Sequence, residues 1–419
     1  MKRISKILIC SFAVLALPAA TADILIRGAT VHSMTSKGTL ENTDVLVRKG
    51  NIYRMGKRLS VSGPDHVVID AEGRPLTPGL FAGMTSIGLT EVSAVDESVD
   101  NALESIEISP MRPEFDVTSA YNPHSSLVPV TRIEGHSFTL LSASPSSSLF
   151  GGQGRMAALD GTYDALFGQP VLFINIGGSA AGVAGGSRAG LWMLLQQAMD
   201  EASRAPEDNV SPLLTSRGRA TLARFADAGT VVFSVHRASD ILQVIRHADK
   251  FGVKAVISGG AEAWMVAETL AKADVPVLLN PLQNLPSSFD ALGSRLDNAA
   301  ILHAAGVKIA FSGAGSHNAR KLRQMAGNAV THGLPHDAAL AALTRNPAEI
   351  FGVEDHQGSI EKGRPANLVL WSADPLEVTT LAERVVINGI DIPMTSRQTE
   401  LRDRYAPEQP SMPRAYIKP

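Results

Sequence analysis

Short apolar segments alternate with amphipathic segments through the middle of the chain, and this alternation limits the possible folds more than any other feature. The apolar segments read as strands buried on both faces, namely Thr230–His236, Lys254–Ser258, Val275–Leu279 and Val307–Ser312, with Ser137–Leu141 and Pro170–Asn175 upstream. The segments between them have helical spacing, namely Asp240–Phe251, Glu262–Ala273 and Asp290–Ala305, the last with Asp290 as its N-cap. Such strands, separated by helices, indicate a parallel sheet covered on both faces. The pattern favours an α/β fold, a (β/α)8 TIM-type barrel, and an open parallel sheet is the alternative.

The two ends of this pattern have a different rhythm, that of short strands joined by tight turns. Residues 23–75 contain several such strands, and residues 365–392 contain two more. Because strands this short need a second layer to bury their apolar face, we expect both ends to form one composite β-sandwich. The barrel then spans residues 76–364, and a polar, Pro-rich tail follows over residues 393–419.

Residues 1–22 have the three parts of a secretory signal peptide. A positively charged start (Lys2, Arg3 and Lys6) precedes an apolar run from Ile7 to Leu17, and small residues end at Ala22. We therefore expect cleavage near Ala22 and a periplasmic or secreted protein without a membrane span in its mature form. The single cysteine, Cys10, lies within the apolar run, so the mature chain would contain no thiol.

Charge excludes one broad class of partner. The formal net charge is −3 and the isoelectric point is about 6.4. The sequence contains no basic cluster interleaved with aromatic residues, so we expect no binding to nucleic acid.

Three stretches resemble motifs of one enzyme family. Leu76–Gly88 resembles the first barrel strand of the amidohydrolase superfamily, where the pattern is P-G-[LI]-[IV]-D-x-H-x-H. Thr344–Ala348, with Gly352 beyond it, resembles the T-x-N-P-A stretch of a late helix in that family. Gly358–Val369 resembles the return of the chain to the β-sandwich, with Asn367 where aspartate is usual. The general layout is most similar to the imidazolonepropionase-like and prolidase-like enzymes.

The resemblance implies hydrolysis of amide or ester bonds with zinc or another divalent metal at the C-terminal mouth of the barrel. Such a metal lowers the pKa of bound water from about 15.7 to about 7. This shift corresponds to about 12 kcal/mol of help in forming hydroxide at neutral pH. The metal requires imidazoles and a carboxylate that project from strand ends.

The positions that match the family's metal ligands carry other residues. The two histidines of the first strand correspond to Met84 and Ser86. The fifth-strand histidine corresponds to Ser234 or His236, the sixth-strand histidine to Ser258 or Gly259, and the eighth-strand aspartate to Gly313. A lone imidazole does not hold a catalytic zinc, which needs three protein ligands. We therefore expect no bound metal and no other cofactor.

Catalysis without a metal would depend on few residues. His236 is interpreted as a satisfied polar residue at a strand end, or, if the protein is an active enzyme, as a catalytic base working with an acid such as Glu91. Gly177–Ala181 and Gly185–Ala189 approach the G-x-S-x-G pattern of serine hydrolases but lack its last glycine. These stretches and Gly151–Gly154 are interpreted as flexible loops over the barrel mouth.

An acidic segment follows the first barrel strand. Residues 91–116 contain many acidic residues and a single basic one, Arg112. The acids are Glu91, Asp96, Glu97, Asp100, Glu104, Glu107, Glu114 and Asp116. The segment is either a solvated loop or a docking surface for a cationic ligand or a basic partner.

Two functions remain open. In the first, the protein is a catalytically silent relative that binds an unknown small ligand, pairs with a paralogous amidohydrolase, or forms a homo-oligomer. In the second, it is a C–N hydrolase with an atypical site.

Overall fold

The computed structural model describes residues 22–62, 65–103, 111–144, 148–204, 213–286, 288–313 and 315–406. The predicted signal peptide lies almost wholly outside these residues. Within them, no helix combines the length and the apolar content needed to cross a bilayer.

One sheet is built from both ends of the chain. Its strands are β1 (Asp23–His32), β2 (Thr39–Arg48), β3 (Asn51–Gly56), β4 (His66–Asp70), β5 (Pro75–Pro78), β14 (Leu368–Trp371), β15 (Ala382–Ile387) and β16 (Ile390–Ile392). The strand order is β16-β15-β14-β5-β1-β2-β3, and β4 pairs with β1. The two chain ends meet where β14 runs antiparallel to β5, with Leu368 opposite Pro78. The predicted joining of both ends is thus present, whereas the description as a two-layered sandwich stays a prediction.

The second sheet forms a nearly closed barrel of eight strands. In sheet order these are β13 (Ile309–Phe311), β12 (Val277–Leu279), β11 (Lys254–Gly259), β10 (Thr230–Val235), β9 (Leu166–Asn175), β8 (Phe150–Ala158), β7 (His136–Leu141) and β6 (Leu80–Thr85). The first and last strands approach each other at the C-terminal ends, where the backbone N–H of Met84 donates to the hydroxyl of Ser312 at 2.9 Å. A side-chain bond therefore spans the seam.

One strand breaks the parallel pattern. Strand β8 pairs antiparallel with both β7 and β9, while the other adjacent pairs are parallel. The turn from β8 to β9 is too short for the helical crossover that a parallel pair requires. The prediction that Gly151–Gly154 is a loop was therefore wrong, because this stretch lies in β8. The absence of a side chain at Gly154 is needed there, since a Cβ would lie 1.9 Å from the carbonyl oxygen of Leu141.

Helices follow most of the barrel strands. They are α1 (Leu127–Arg132), α2 (Arg188–Ser203), α3 (Ser216–Phe225), α4 (Ala238–Phe251), α5 (Ala267–Lys272), α6 (Asn298–Ala304), α7 (Leu322–Thr331), α8 (His336–Leu343), α9 (Arg345–Ile350) and α10 (Arg397–Tyr405). The prediction for α4 is confirmed, including its end at Gly252, which has the left-handed conformation of a C-terminal cap. Helix α10 lies in the segment predicted to be a polar tail, and Ser396 and Thr399 form a capping box at its start.

The helix predicted from Asp290 to Ala305 begins much later than expected. Only a short 3-10 turn, Phe289–Ala291, occurs near Asp290, and α6 starts at Asn298. Asp290 does not act as an N-cap there, because its carboxylate accepts a hydrogen bond from the backbone N–H of Gly178 and pairs with Arg188. A long-range contact has thus overridden the local capping signal.

Side chains alternate strictly between the two faces of the barrel sheet. One set packs outward against the helices and includes Ile174, Phe233, Ile257, Leu279 and Phe311. The preceding residue of each strand packs inside the barrel, giving Phe173, Val232, Val256, Leu278 and Ala310. Because side chains on a strand repeat with period two, the residue after each outward side chain must face the barrel interior again, at the C-terminal mouth.

Candidate functional site at the barrel mouth

The inward-facing layer at the mouth consists of uncharged polar side chains. By the alternation above, it contains Asn175, Ser234, Ser258, Asn280 and Ser312 on five successive strands. Asn175, Ser234 and Ser258 are direct neighbours in the ladder of parallel strands. The C-terminal end of such a barrel is where functional residues gather. We call these five residues the neutral layer.

The members of the neutral layer differ in how far their hydrogen bonds are satisfied. Asn175 is buried, accepts from the N–H of Gly177 at 3.0 Å and lies 3.3 Å from the Ser179 hydroxyl. Ser234 and Ser258 are half-buried, and neither hydroxyl has a hydrogen-bond partner among the described residues. Solvent therefore reaches the centre of the mouth, where two hydroxyls are available to a ligand.

The residues at the C-terminal end of β6, which lies next to the neutral layer, are also uncharged. Met84 packs at the edge of the inner core and is half-buried. Two residues further on, the hydroxyl of Ser86 lies 2.8 Å from that of Ser316, whose oxygen also accepts from the Ser86 N–H at 2.7 Å. Both positions that match the first-strand histidines thus face the mouth but carry a thioether and a hydroxyl.

At the sixth strand, the space for a ligand side chain is already filled. A Cβ at Gly259 would lie 2.6 Å from Cε1 and 3.0 Å from both ring nitrogens of His236. Gly259 also has a φ of +97°, which L side chains rarely adopt. The imidazole of His236 therefore occupies the place of the missing side chain.

At the eighth strand the same is true of Gly313. Its φ is +104°, and a Cβ there would lie 3.0 Å from the Cβ of Asn280. An aspartate at this position would be strained in its backbone and crowded by the neighbouring strand.

The residues present do not fit the divalent metal that the family implies. A catalytic zinc needs three imidazole or carboxylate ligands and an open fourth position. The matching positions offer a thioether, hydroxyls, glycines and at most the one imidazole of His236. In the described part of the chain, no three histidine, cysteine, aspartate or glutamate side chains converge on a geometry that would hold a metal ion.

Carboxylates do border the mouth, but backbone groups engage them. Glu262, after β11, accepts from the N–H of Ala238 at 3.0 Å and from that of Gly293 at 3.3 Å. Asp290, after β12, accepts from the N–H of Gly178. Each acid therefore satisfies the free N–H groups of a helical turn that follows another strand. These acids connect neighbouring loops of the mouth.

A buried ion pair lies beside these contacts. Arg188, at the start of α2, pairs with Asp290 and also lies 3.4 Å from Asp240 on α4. Burial raises the pKa of Asp240, and the cations of Arg188 and Arg237 partly oppose this rise. Arg188 thus shares its one positive charge between two carboxylates.

His236 lies beside the neutral layer, where its ring fills the space next to Gly259. Burial lowers its pKa, and the neighbouring Glu262 only partly opposes the shift. Its Nδ1 is buried and has no hydrogen-bond partner among the residues that the structure describes. The acidic neighbour that the structure gives His236 is thus Glu262, which the sequence analysis did not single out.

Glu91, the acid suggested as a partner of His236, lies in an exposed loop after β6. Its carboxylate accepts from the hydroxyl of Ser126 at 3.2 Å. The pairing of Glu91 with His236 stays a prediction.

The acidic segment divides into two parts. Asp116 caps a 3-10 turn by accepting from the N–H of Thr118 at 3.0 Å, and Glu114 accepts from the hydroxyl of Thr215 at 2.5 Å. The exposed acids are Glu91, Asp96, Glu97 and Asp100. Glu104 and Glu107 lie outside the described residues, and the docking role of the segment stays a prediction.

The glycine-rich stretches after β9 form helical structure. Gly178–Ala184 is a 3-10 helix that ends at Gly185, and Ser187 precedes α2. Among the described residues, neither Ser179 nor Ser187 forms a hydrogen bond with a histidine. The hydroxyl of Ser179 contacts Asn175 instead.

The neutral layer was missed by the sequence analysis, although the sequence carries a signal for it. Each strand ends with an inward apolar residue, an outward apolar residue and then a small polar one, as in Phe173–Asn175 and Val256–Ser258. Aligning the strands by this triplet would have placed all five residues in one layer.

Comparisons with known proteins agree with the fold. A model of the amidohydrolase family matches residues 217–394, which include strands β10 to β16. The crystal structure of an amidohydrolase from Thermotoga maritima MSB8 is 26% identical, has a TM-score of 0.78, and the match covers 88% of this chain and 99% of that chain. A prolidase complexed with N-methylphosphonate-L-proline shares the fold at 15% identity and a TM-score of 0.53, covering 88% of this chain and 99% of that one.

One curated relative matches over a shorter stretch. The amidohydrolase tasK of Hapsidospora irregularis is 37% identical over 121 residues, which are 26% of this chain and only 12% of that protein. The barrel, the family model over residues 217–394 and the Thermotoga structure together support membership of the amidohydrolase superfamily.

Proposed function

We propose that this amidohydrolase-family protein is a catalytically silent, exported binding protein that holds a small ligand at the barrel mouth. The proposal rests on the uncharged residues of the mouth: a thioether, hydroxyls and glycines stand at the positions that match the family's metal ligands, and the neutral layer around them adds only hydroxyls and amides. Neutral hydroxyl and amide groups do not replace the charge and ligand strength that an activated metal-bound water requires.

Gly259 and Gly313, where a side chain would be crowded by its neighbours, strengthen this proposal. A Cβ at Gly259 would lie 2.6 Å from the ring of His236, and one at Gly313 would be crowded by the Cβ of Asn280 at 3.0 Å. The mouth differs from a metal site in its backbone and packing as well as in its side chains.

Metal analysis of the purified mature protein tests the proposal. The protein is incubated with excess Zn²⁺ or Mn²⁺, desalted and analysed by mass spectrometry, and assayed on dipeptides, cyclic amides and lactones with and without a chelator. We expect substoichiometric metal and no turnover. One divalent ion per chain that survives desalting, together with chelator-sensitive turnover, would refute the proposal.

A second candidate function is metal-free hydrolysis of a C–N bond, favoured by the state of His236. Burial lowers the pKa of its imidazole and so favours the neutral form that a general base needs. In this mechanism His236 takes a proton from water while the water oxygen forms a C–O bond with the amide carbonyl. The C–N bond then breaks, and the imidazolium returns the proton to the leaving nitrogen.

The variant His236→Ala separates the two candidates. A hydrolase should lose at least about 100-fold in turnover, since general-base catalysis contributes roughly that factor. The matched control is His303→Ala, which removes an exposed histidine from α6. Equal rates in the two variants would exclude His236 as the base.

Pairing with a paralogous amidohydrolase or with a second copy of the chain stays a prediction. Size-exclusion chromatography with light scattering, alone and after mixing with the paralogue, measures it directly.

A further inference from the structure

We infer that the outer edge of β4 (His66–Asp70) is a dimerisation surface, and that its partner is β4 of a second copy of this chain. The strand pairs antiparallel with itself across a two-fold axis that passes Val68. The sheet that both chain ends form, the terminal sheet, then continues from one copy into the other. This surface uses no residue of the barrel mouth, so it does not depend on the proposed binding function.

One edge of β4 lies against β1, and the other edge pairs with no described strand. The two strands run parallel. At the ends of their ladder, the N–H of Asp23 donates to the carbonyl oxygen of Asp65, and the N–H of Ala71 donates to that of Arg27. Because successive residues of a strand turn their backbone groups to opposite edges, the odd-numbered residues from 65 to 71 bond to β1. The even-numbered residues therefore turn their N–H and C=O groups to the outer edge.

Backbone groups on this outer edge lack partners in the described part of the chain. The N–H and C=O of Val68 and the N–H of Asp70 form no hydrogen bond there, whereas the carbonyl oxygen of Asp70 accepts from the Arg74 guanidinium at 2.6 Å. The side chains beside these groups are also uncovered, since Val67 is 36% and Val68 43% exposed. A row of free backbone groups flanked by exposed valines is a template for a further strand.

The two outermost strands of the terminal sheet are protected from such pairing, whereas β4 is not. On β3, the N–H of Ile52 donates to the carbonyl oxygen of Arg364 at 2.9 Å, and its C=O accepts from the N–H of Gly363 at 2.8 Å. Strand β16 has only three residues and is followed by Pro393. Covered backbone groups, short length and proline are common devices against association of sheet edges. Strand β4 is five residues long and contains neither proline nor lysine.

The sequence of β4, His-Val-Val-Ile-Asp, favours a second copy as the occupant of this edge. In antiparallel pairing centred on Val68, the N–H and C=O of Val68 bond to those of Val68 in the other copy. The side chains of His66 and Asp70 lie on the same face as that of Val68, because side chains alternate along a strand. Each histidine is then opposite an aspartate of the other copy, and the two-fold symmetry forms this complementary pair twice.

The length of β4 limits the affinity of such a dimer. Five residues from each copy are expected to bury less than the roughly 1,200 Å² of a stable interface. We therefore expect a reversible dimer with a dissociation constant of about 10 to 100 µM.

Cysteine cross-linking tests the pairing and its register. Residues 23–419 contain no cysteine, so Val68→Cys introduces a single thiol into the mature chain. Residues that are directly paired in this way have Cα atoms about 5.5 Å apart, which a disulfide spans. In the matched control Val67→Cys, the two thiols are diagonal neighbours at about 7 to 8 Å, too far for a disulfide.

Under mild oxidation at equal protein concentration, Val68→Cys should form a disulfide-linked dimer at least about tenfold faster than Val67→Cys. Equal rates in the two variants, or no dimer from either, would overturn the inference.

Sedimentation velocity of the mature protein at rising concentration measures association without a cross-link. Val68→Pro removes an outward N–H and leaves the ladder to β1 intact, so it should weaken the dimer at least about tenfold. The control Val68→Thr keeps both backbone groups and the branched side chain, and its dissociation constant should stay within about threefold of that of the wild type. A wild type that remains monomeric up to about 1 mM, or a dimer that Val68→Pro leaves unchanged, would refute the pairing.

Two substitutions at one position test whether the partner is another copy of β4. His66→Asp places carboxylates opposite each other and should weaken the dimer at least about tenfold. His66→Lys keeps a cation opposite Asp70 and should bind as tightly as the wild type or more tightly, although lysine on an edge strand usually prevents pairing. If both variants weaken the dimer equally, β4 does not pair with itself.

Discussion

At the scale of single residues, the mouth depends on glycine as much as on its polar side chains. Gly259→Ala forces a Cβ against the His236 ring in a backbone conformation that disfavours it. Gly363 has a similar φ of +91° but open space around it, so Gly363→Ala carries the conformational cost alone. We expect Gly259→Ala to lose about 1 to 3 kcal/mol more unfolding free energy than Gly363→Ala, measured by urea denaturation. Equal losses would mean that the His236 ring moves aside freely.

Protonation of buried imidazoles sets the response of the fold to acid. Burial lowers the pKa of His136 to about 4, and its ring nitrogen Nδ1 lies 3.1 Å from the carbonyl oxygen of Phe81. In the unfolded chain the histidine has a pKa of about 6.5. The free energy of unfolding is therefore fully retained above pH 6.5 and decreases as the pH falls towards 4, because the unfolded chain then binds the proton and the folded protein does not. Burial also lowers the pKa values of His32, His236 and His247, so their contributions have the same sign.

The variant His136→Gln isolates this contribution. Between pH 7.5 and pH 5, the unfolding free energy of the wild type should fall by about 2 kcal/mol more than that of the variant. Parallel pH profiles for the two proteins would show that His136 titrates normally in the fold.

At the scale of elements, local patterns predicted those segments whose structure is decided locally. Helix α4 has an amphipathic face, an acid in its first turn and a glycine at its end, and it forms as expected. Strand β8 was missed because its glycines suit the close approach of β7, a contact that no local pattern displays. The metal positions were found by motif, whereas the roles of Gly259 and Glu262 depend on contacts between different loops.

The role of Asp290 also depends on a long-range contact that local sequence patterns do not reveal, and mutation can test this contact. Its carboxylate joins the loop after β12 to Gly178 and to Arg188 after β9, so its effect reaches across two strands. Asp290→Ala should cost about 3 kcal/mol of unfolding free energy, because it leaves Arg188 with only the longer contact to Asp240. In a double-mutant cycle with Arg188→Met, a coupling energy near zero would contradict the pairing.

At the scale of the whole molecule, one buried arginine joins the barrel to the terminal sheet. Arg323, on α7, is 2% exposed and donates to the carbonyl oxygens of Pro375, Glu377 and Thr380 at 2.7 to 2.9 Å. Its guanidinium also lies 5.2 Å from the ring of Trp371 in β14. Pro375 and Thr380 are buried, whereas Glu377 is exposed and its carbonyl oxygen also accepts from the N–H of Thr380 at 3.2 Å. Loss of the guanidinium therefore removes the donor from two buried carbonyl groups.

We expect the hydrogen bonds of Arg323 to determine whether the terminal sheet and the barrel unfold together. Arg323→Met keeps most of the apolar stem but removes every donor, so we expect a loss of about 3 kcal/mol and a calorimetric transition that splits in two. Arg345→Met, which removes a half-exposed arginine of α9, is the control and should melt as the wild type does. A single, unshifted transition in Arg323→Met would show that the hydrogen bonds of Arg323 are not needed to couple unfolding of the terminal sheet to unfolding of the barrel.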